Sequence, residues 1–170
     1  MKGETPAMQL YLLRHGIAEE KARNGVDADR ELTADGRRKL RQVLQAALDV
    51  GVSPTLILTS PLKRAVQTAE TARQVFKYKN ELLRTKALTP GSTVEQVWDE
   101  IRAHRGEDSL MLVGHNPLFG ELAAYLLGSK DLQIDFKKGA LLRIDLANFP
   151  AHPRGVLRWH LTAKLAADRE

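Results

Sequence analysis

Leu10-Tyr11-Leu12-Leu13-Arg14-His15-Gly16 is the stretch on which the fold turns. Four apolar residues in succession read as a buried strand. The run stops at a cation, an imidazole and a glycine. A buried strand ending this way delivers two reactive side chains to the C-terminal edge of a sheet, which in open α/β sheets is where ligands bind. Gly16 is expected to let the backbone turn sharply and a ligand approach closely. Arg14 beside His15 points to an anion as what the pair meets.

Downstream of that strand, residues 17–32 form a polar, partly mobile loop carrying Glu19, Glu20, Asp27, Asp29 and Arg30. Thr33 is expected to cap a helix running to about Val50, with Leu40, Val43, Leu44, Ala47 and Leu48 on its buried face. Arg37, Arg38, Lys39 and Arg41 read as its solvated face. Gly51 ends it. Residues 55–59 form a second buried strand. Ser60 and Pro61 then open a helix to about Phe76, as N-cap and first helical residue. A third strand is expected within residues 82–88, and Ser92 caps a helix over 93–104. Residues 109–113 form a strand ending in Gly114-His115-Asn116-Pro117, followed by a helix to about Leu127 and a polar loop over 128–139. Two alternating stretches, 140–146 and 156–161, read as half-buried strands near an edge. This order predicts a single α/β domain of three layers (α/β/α), its sheet mainly parallel with an antiparallel edge. The domain is expected to span residues 8–170, with residues 1–7 a disordered tail.

The chain has 170 residues, enough for one domain that buries roughly 70% of its unfolded surface without a stapling metal or disulfide. It contains no cysteine, which removes disulfides, a CxxC redox site and a thiol nucleophile together. No apolar run is long enough to span a bilayer, and residues 1–7 lack the apolar core of a signal peptide, so a cytoplasmic location with no membrane partner is expected. The net charge is +5, from 26 Lys and Arg against 21 Asp and Glu. That excess is compatible with a phosphorylated partner, and too sparse for the basic stripe of a nucleic-acid binder.

Three strand ends carry chemistry. The first bears Arg14 and His15, the second leads to Arg64 in the first turn of a helix, and the third bears His115. If these strands are neighbours, two imidazoles and two guanidiniums converge on one edge and form a phosphoryl pocket. Arginine forks match phosphate oxygens bidentately, and a helix N-terminus at Pro61 adds a positive dipole end. Phosphoryl transfer needs chiefly positioning and cationic stabilisation, which Arg14 and Arg64 supply without a metal or cofactor. Nearby cations hold His15 neutral, so its lone pair can attack phosphorus and form a covalent phosphohistidine. A hydrogen bond from its other ring nitrogen to a backbone carbonyl would fix the tautomer. His115 donates to the moving oxygens, and water then attacks the phosphoenzyme. His104, His152 and His160 show no metal-ligand spacing and are expected to be structural.

With these residues in this order, the sequence resembles the histidine phosphatase superfamily, which includes the Arg-His-Gly phosphatases and the phosphoglycerate mutases. Within it the chain is most similar to the SixA-type phosphohistidine phosphatases. The matching segments are Leu12-Leu13-Arg14-His15-Gly16, Arg30-Glu31-Leu32-Thr33-Ala34-Asp35-Gly36, Ser60-Pro61-Leu62-Lys63-Arg64-Ala65 with Gln67-Thr68-Ala69, Leu88-Thr89-Pro90, and Val113-Gly114-His115-Asn116-Pro117. The resemblance covers about residues 8–161. It implies a phosphoglycerate mutase-like fold, His15 as nucleophile, and Arg14, Arg64 and His115 as the rest of the phosphate pocket.

Mutase-like members follow Arg-His-Gly with Glu or Gln and then Ser or Thr, where this chain has Ile17-Ala18. Those members also carry a Glu proton donor after the third strand, where Leu88-Thr89-Pro90-Gly91-Ser92 has no carboxylate. The acid-phosphatase branch has Asp directly after its second histidine, where Asn116 stands here. An alkoxide leaving group benefits from a positioned acid, whereas imidazole leaves more easily once its far nitrogen is protonated. The residues therefore favour hydrolysis of phosphohistidine on a protein, such as a histidine-phosphotransfer signalling protein. Glu19, Glu20 and Glu95 stay open as proton donors, and the loops at 17–32 and 128–139, with Lys137 and Lys138, as contact surfaces. A small-molecule phosphomonoesterase of the same fold and a non-catalytic phosphate-binding module are the alternatives.

Overall fold

The computed structural model describes residues 5–167. In chain order these form β1 (Met8–Arg14), α1 (Ala34–Asp49), β2 (Leu56–Thr59), α2 (Lys63–Phe76), β3 (Leu83–Arg84), α3 (Val94–Ala103), β4 (Ser109–Gly114), α4 (Leu118–Leu126), β5 (Leu141–Leu146), β6 (Val156–Leu161) and α5 (Ala163–Ala167). The tail expected over residues 1–7 and the domain end expected at 170 fall partly on residues 1–4 and 168–170, which lie outside the described residues. Thr5, Pro6 and Ala7 carry neither strand nor helix. Among the described residues no helix is long and apolar enough to cross a membrane.

The six strands form one sheet in the order β3-β2-β4-β1-β5-β6. The first four are parallel, and β5 and β6 run antiparallel at one side. β1 is interior, with β4 on one flank and β5 on the other, which explains its unbroken apolar run. Alternate residues feed two cores. Met8, Leu10 and Leu12 pack with Val97, Trp98 and Ile101 of α3 and Leu118, Phe119 and Leu122 of α4. Tyr11 and Leu13 pack with Leu40, Val43 and Leu44 of α1 and Ala65, Ala69 and Ala72 of α2. Helices therefore cover both faces, as the three-layer expectation requires.

Local chemistry moves some boundaries. Thr33 caps α1, its hydroxyl accepting from Gly36 N at 2.9 Å. Ala46 rather than Leu48 completes the buried face of that helix. α3 is capped by Thr93 rather than Ser92. Thr93 forms a reciprocal capping box with Gln96, while Ser92 Oγ donates to Lys86 O at 2.8 Å. The strand expected over 82–88 shortens to Leu83 and Arg84, because Thr85 caps a 3-10 turn at Lys86–Leu88 that buries Leu88. α2 begins at Lys63, not at Pro61, and Leu62 at its N-cap makes no side-chain cap bond. Ser60 instead continues the strand, its N–H donating to Val113 O at 2.9 Å. The positive helix end thus lies two residues later than expected, at Lys63 and Arg64.

Candidate active site

Strand register assembles the site. Arg14 stands opposite Gly114 and Thr59 opposite Val113. The next residues, His15, His115 and Ser60, therefore leave the sheet side by side. His15 N extends the ladder by donating to Gly114 O at 3.0 Å. The His15 and His115 rings lie 5.2 Å apart, centroid to centroid. Arg64 reaches the same edge from the first turn of α2 and, like both rings, is buried. The structure thus brings Arg14, His15, Arg64 and His115 together.

At two glycines the backbone closes in. Gly16 is not one of them: it is outside the left-handed region, which corrects the expected sharp turn, and a Cβ there would make ordinary contact at 3.4 Å with Gly36 O and Leu32 Cδ2. At Gly36 a Cβ would overlap Ile17 O, so glycine is what lets the start of α1 meet the segment after His15. At Gly114 a Cβ would lie 2.7 Å from the Phe119 ring, so α4 sits over the end of β4 only because no side chain intervenes.

The hydrogen bonds assign the ring protons. His15 Nδ1 lies 2.7 Å from Gly16 O. A carbonyl only accepts, so Nδ1 carries the proton and Nε2 the lone pair. His115 Nε2 lies 2.8 Å from Ser60 Oγ. Ser60 Oγ accepts from Leu62 N at 3.3 Å and still has its own proton to donate to His115 Nε2; in the tautomer that takes this bond, the ring proton of His115 is on Nδ1. That Nδ1, together with Arg14 Nε and Arg64 Nε, is buried and has no partner among the described residues. Three donors of this kind at one edge suit a tetrahedral oxyanion.

Each cation is also tied to the backbone. Arg14 Nη1 donates to Phe136 O at 2.6 Å. Arg64 Nη1 donates to Asp27 O at 3.1 Å and lies 3.4 Å from the Asp27 carboxylate. Thr68 Oγ1 accepts from Gly16 N at 3.1 Å and donates to Arg64 O at 2.7 Å, linking the turn after His15 to the first turn of α2.

Burial lowers the pKa of His15 to about 4. The Gly16 carbonyl opposes the shift, while Arg64, Arg14 and Lys138 add to it. Burial, and then the charges of His15, Arg64 and Arg14, lower His115 to about 3, against the pull of Asp27. Both rings are neutral at pH 7. Burial also lowers Arg14 and Arg64 from the usual guanidinium value. For Asp27, desolvation raises the pKa, but the charges and hydrogen bonds of Arg64 and Arg30 outweigh it and hold the carboxylate below its usual range.

No expected carboxylate donor reaches either ring by hydrogen bond. Glu19 Oε2 accepts from Glu31 N and lines a separate cavity of about 440 Å³. Glu20 is exposed. Glu95 lines another cavity, of about 560 Å³, beyond Asn116 and Pro117. Sequence reasoning missed three supporting residues. Asp27 was one acid among several in a polar loop, and only its seat on Arg64 distinguishes it. Ser60 reads as a cap from sequence, whereas in the structure its hydroxyl meets His115. Thr68 matched the family pattern, but its two bonds have no signature in spacing.

The family model for the histidine phosphatase superfamily (branch 1) matches residues 10–88. The chain is 35% identical over 158 residues to an uncharacterized protein of Picosynechococcus sp., covering 85% of this chain and 90% of the relative. It is 32% identical over 133 residues to a phosphohistidine phosphatase SixA homolog of Haemophilus influenzae, covering 73% of this chain and 80% of the relative. Among solved structures, it superposes on the protein histidine phosphatase SixA complexed with tungstate with a TM-score of 0.83, at 26% identity, over 92% of this chain and 98% of the other.

Proposed function

The chain belongs to the histidine phosphatase superfamily, and we propose that within it the chain is a metal-independent phosphohistidine phosphatase acting on a phosphorylated protein. The observation that carries this reading is the 2.7 Å bond from His15 Nδ1 to Gly16 O. In the first step the Nε2 lone pair of His15 attacks phosphorus, and the bond from phosphorus to the substrate imidazole breaks. The departing imidazole leaves neutral when its far nitrogen is protonated. His15 is then phosphorylated on Nε2 while Nδ1 keeps its proton. In the second step water attacks phosphorus, its proton passes to a phosphate oxygen or to solvent, and His15 departs as the same neutral tautomer. Neither step needs a carboxylic acid. Arg14, Arg64 and His115 Nδ1 donate to the phosphoryl oxygens, where charge accumulates.

An ester makes a different demand, because a departing alkoxide must gain a proton as it leaves. Asp27, the carboxylate whose charge reaches His115, is ionised at neutral pH and has no proton to give. The preference for phosphohistidine over phosphate esters follows from that difference. The test is phosphate release, with EDTA present, from a phosphohistidine protein and from a panel of phosphate monoesters, for wild type and His15→Ala. Fast, His15-dependent release from phosphohistidine with slow ester hydrolysis supports the reading. Faster ester turnover would make the protein a small-molecule phosphomonoesterase, and turnover of neither would leave a phosphate-binding module.

A further inference from the structure

A cleft of about 780 Å³ opens beside the strand edge, and Arg14 belongs to both cleft and site. Five more cations line it: Arg38 and Lys39 from α1, Lys137 and Lys138 from the segment before β5, and Lys164 from α5. The one carboxylate on its wall among the described residues, Asp135, is already paired with Lys137 at 3.0 Å. Arg38 and Lys39 share Asp35, at 2.8 and 2.9 Å. With both acids counted, the six cations keep a large excess among the described residues. The separate cavity of about 440 Å³ mixes Glu19, Asp29 and Glu31 with Arg23 and Lys63 and has no such bias. The positive charge is therefore gathered on one side of the nucleophile, close enough that Lys138 acts on His15.

Between the cations lie Ile17, Ala163 and Ala167. A bare phosphate gains nothing from an apolar floor. A protein segment with acidic side chains beside apolar ones uses floor and rim together, as at the core and rim of ordinary interfaces. We propose that this cleft is the docking surface for an acidic segment of the phosphoprotein, next to its phosphohistidine. This rests on the phosphohistidine reading above. The cleft continues directly into the phosphate pocket through Arg14, so a docked segment holds the phosphorylated side chain against His15. Docking raises kcat/KM for protein substrates and leaves small substrates unaffected.

The test uses two synthetic helical peptides bearing one phosphohistidine, one flanked by Glu and the other by Gln at the same positions. Inorganic phosphoramidate is the small substrate. Wild type is compared with Lys137→Glu/Lys164→Glu, two exposed residues outside the phosphate pocket. At low ionic strength wild type is expected to turn over the Glu peptide at least tenfold faster in kcat/KM, with the ratio collapsing at high salt as the charges are screened. The double variant loses that preference and keeps phosphoramidate turnover within twofold. Fluorescence anisotropy with the unphosphorylated peptides gives a second readout, in which the Glu peptide binds wild type and not the variant. Equal rates on the two peptides, or a preference that survives the double reversal, would overturn the proposal. So would tight tripolyphosphate binding to the cleft without peptide binding. If wild type hydrolyses none of the phosphorylated probes, the phosphohistidine reading fails and the anisotropy experiment alone decides the docking proposal.

Discussion

Ser60→Ala separates two roles for one hydroxyl. As a helix cap, Ser60 would contribute about 1 kcal/mol to stability and nothing to turnover. In the structure its hydroxyl lies 2.8 Å from His115 Nε2, and α2 starts three residues later. His115 is buried, so alanine leaves Nε2 with no partner and frees the ring proton to move from Nδ1 to Nε2, away from the phosphoryl oxygens. A neutral hydrogen bond is worth about 0.5–1.5 kcal/mol net, and an unsatisfied buried group costs about 1–3 kcal/mol. Taking about 1–2 kcal/mol as the loss at the transition state, kcat/KM should fall roughly 5- to 30-fold, at about 1.4 kcal/mol per tenfold. The assay is phosphoramidate hydrolysis under kcat/KM conditions, with a urea midpoint measured on the same preparation. Ser60→Thr keeps a hydroxyl and should retain most of the activity. A Ser60→Ala protein with kcat/KM within twofold of wild type and a lowered urea midpoint would refute the reasoning and return Ser60 to the role of a cap.

The histidine pKa values set a pH window. Attack needs neutral His15, so kcat/KM for phosphoramidate, corrected for its spontaneous hydrolysis, should be level from about pH 5.5 to 8 and fall as pH drops through about 4; a fall centred near 6.5 would contradict the burial argument. The same shifts bear on stability. Both histidines have folded values below the unfolded 6.5, so between about 4 and 6.5 for His15, and about 3 and 6.5 for His115, the unfolded chain binds more protons, and stability falls as the pH is lowered, by up to about 1.4 kcal/mol per unit for each ring. Urea midpoints that stay flat from pH 7 to 4.5 would count against it. Gly114→Ala drives a Cβ into the Phe119 ring and should cost about 1–3 kcal/mol by overpacking. Adding Phe119→Leu should recover part of that loss in urea denaturation, and an unchanged Gly114→Ala midpoint would show that α4 yields freely.

The fold was legible where composition and burial agree. The run Leu10 to Leu13 has no polar side to expose, so it belonged inside a sheet, and Ser109 to Val113 followed the same logic. The alternation of residues 140–146 and 156–161 announced strands of a different kind, and β5 and β6 are the antiparallel pair. Boundaries failed where hydroxyls stand next to alternatives. Thr93 prevailed over Ser92 because Gln96 lies three residues on and closes the capping box. Ser60 reads as a cap because a strand-end serine and a cap serine look alike until the neighbouring strand is known. The four residues expected at one edge, Arg14, His15, Arg64 and His115, meet there because β2, β4 and β1 are neighbours, a condition no local pattern contains. Asp27 was invisible for a related reason, since its partner Arg64 is remote in sequence and the loop between them has no period.

The rungs joining β1, β4 and β2 act as a ruler for the reactive groups. One residue of slip along a strand is about 3.3 Å and turns every side chain to the opposite face. Inserting or deleting a single residue inside any of these strands would therefore dismantle the site rather than detune it. The segments at 17–32 and 128–139 carry one bridge, Ala18 to Leu32, and hold the two cations through Asp27 O and Phe136 O, so only exposed stretches such as residues 128–133 are open to change while the spacing of His15, His115 and Ser60 stays fixed. Replacing residues 129–133, with Gly128 kept for its positive φ and Phe136 left in place to hold Arg14, would change the outer surface of this molecule while its reactive centre stays as it is.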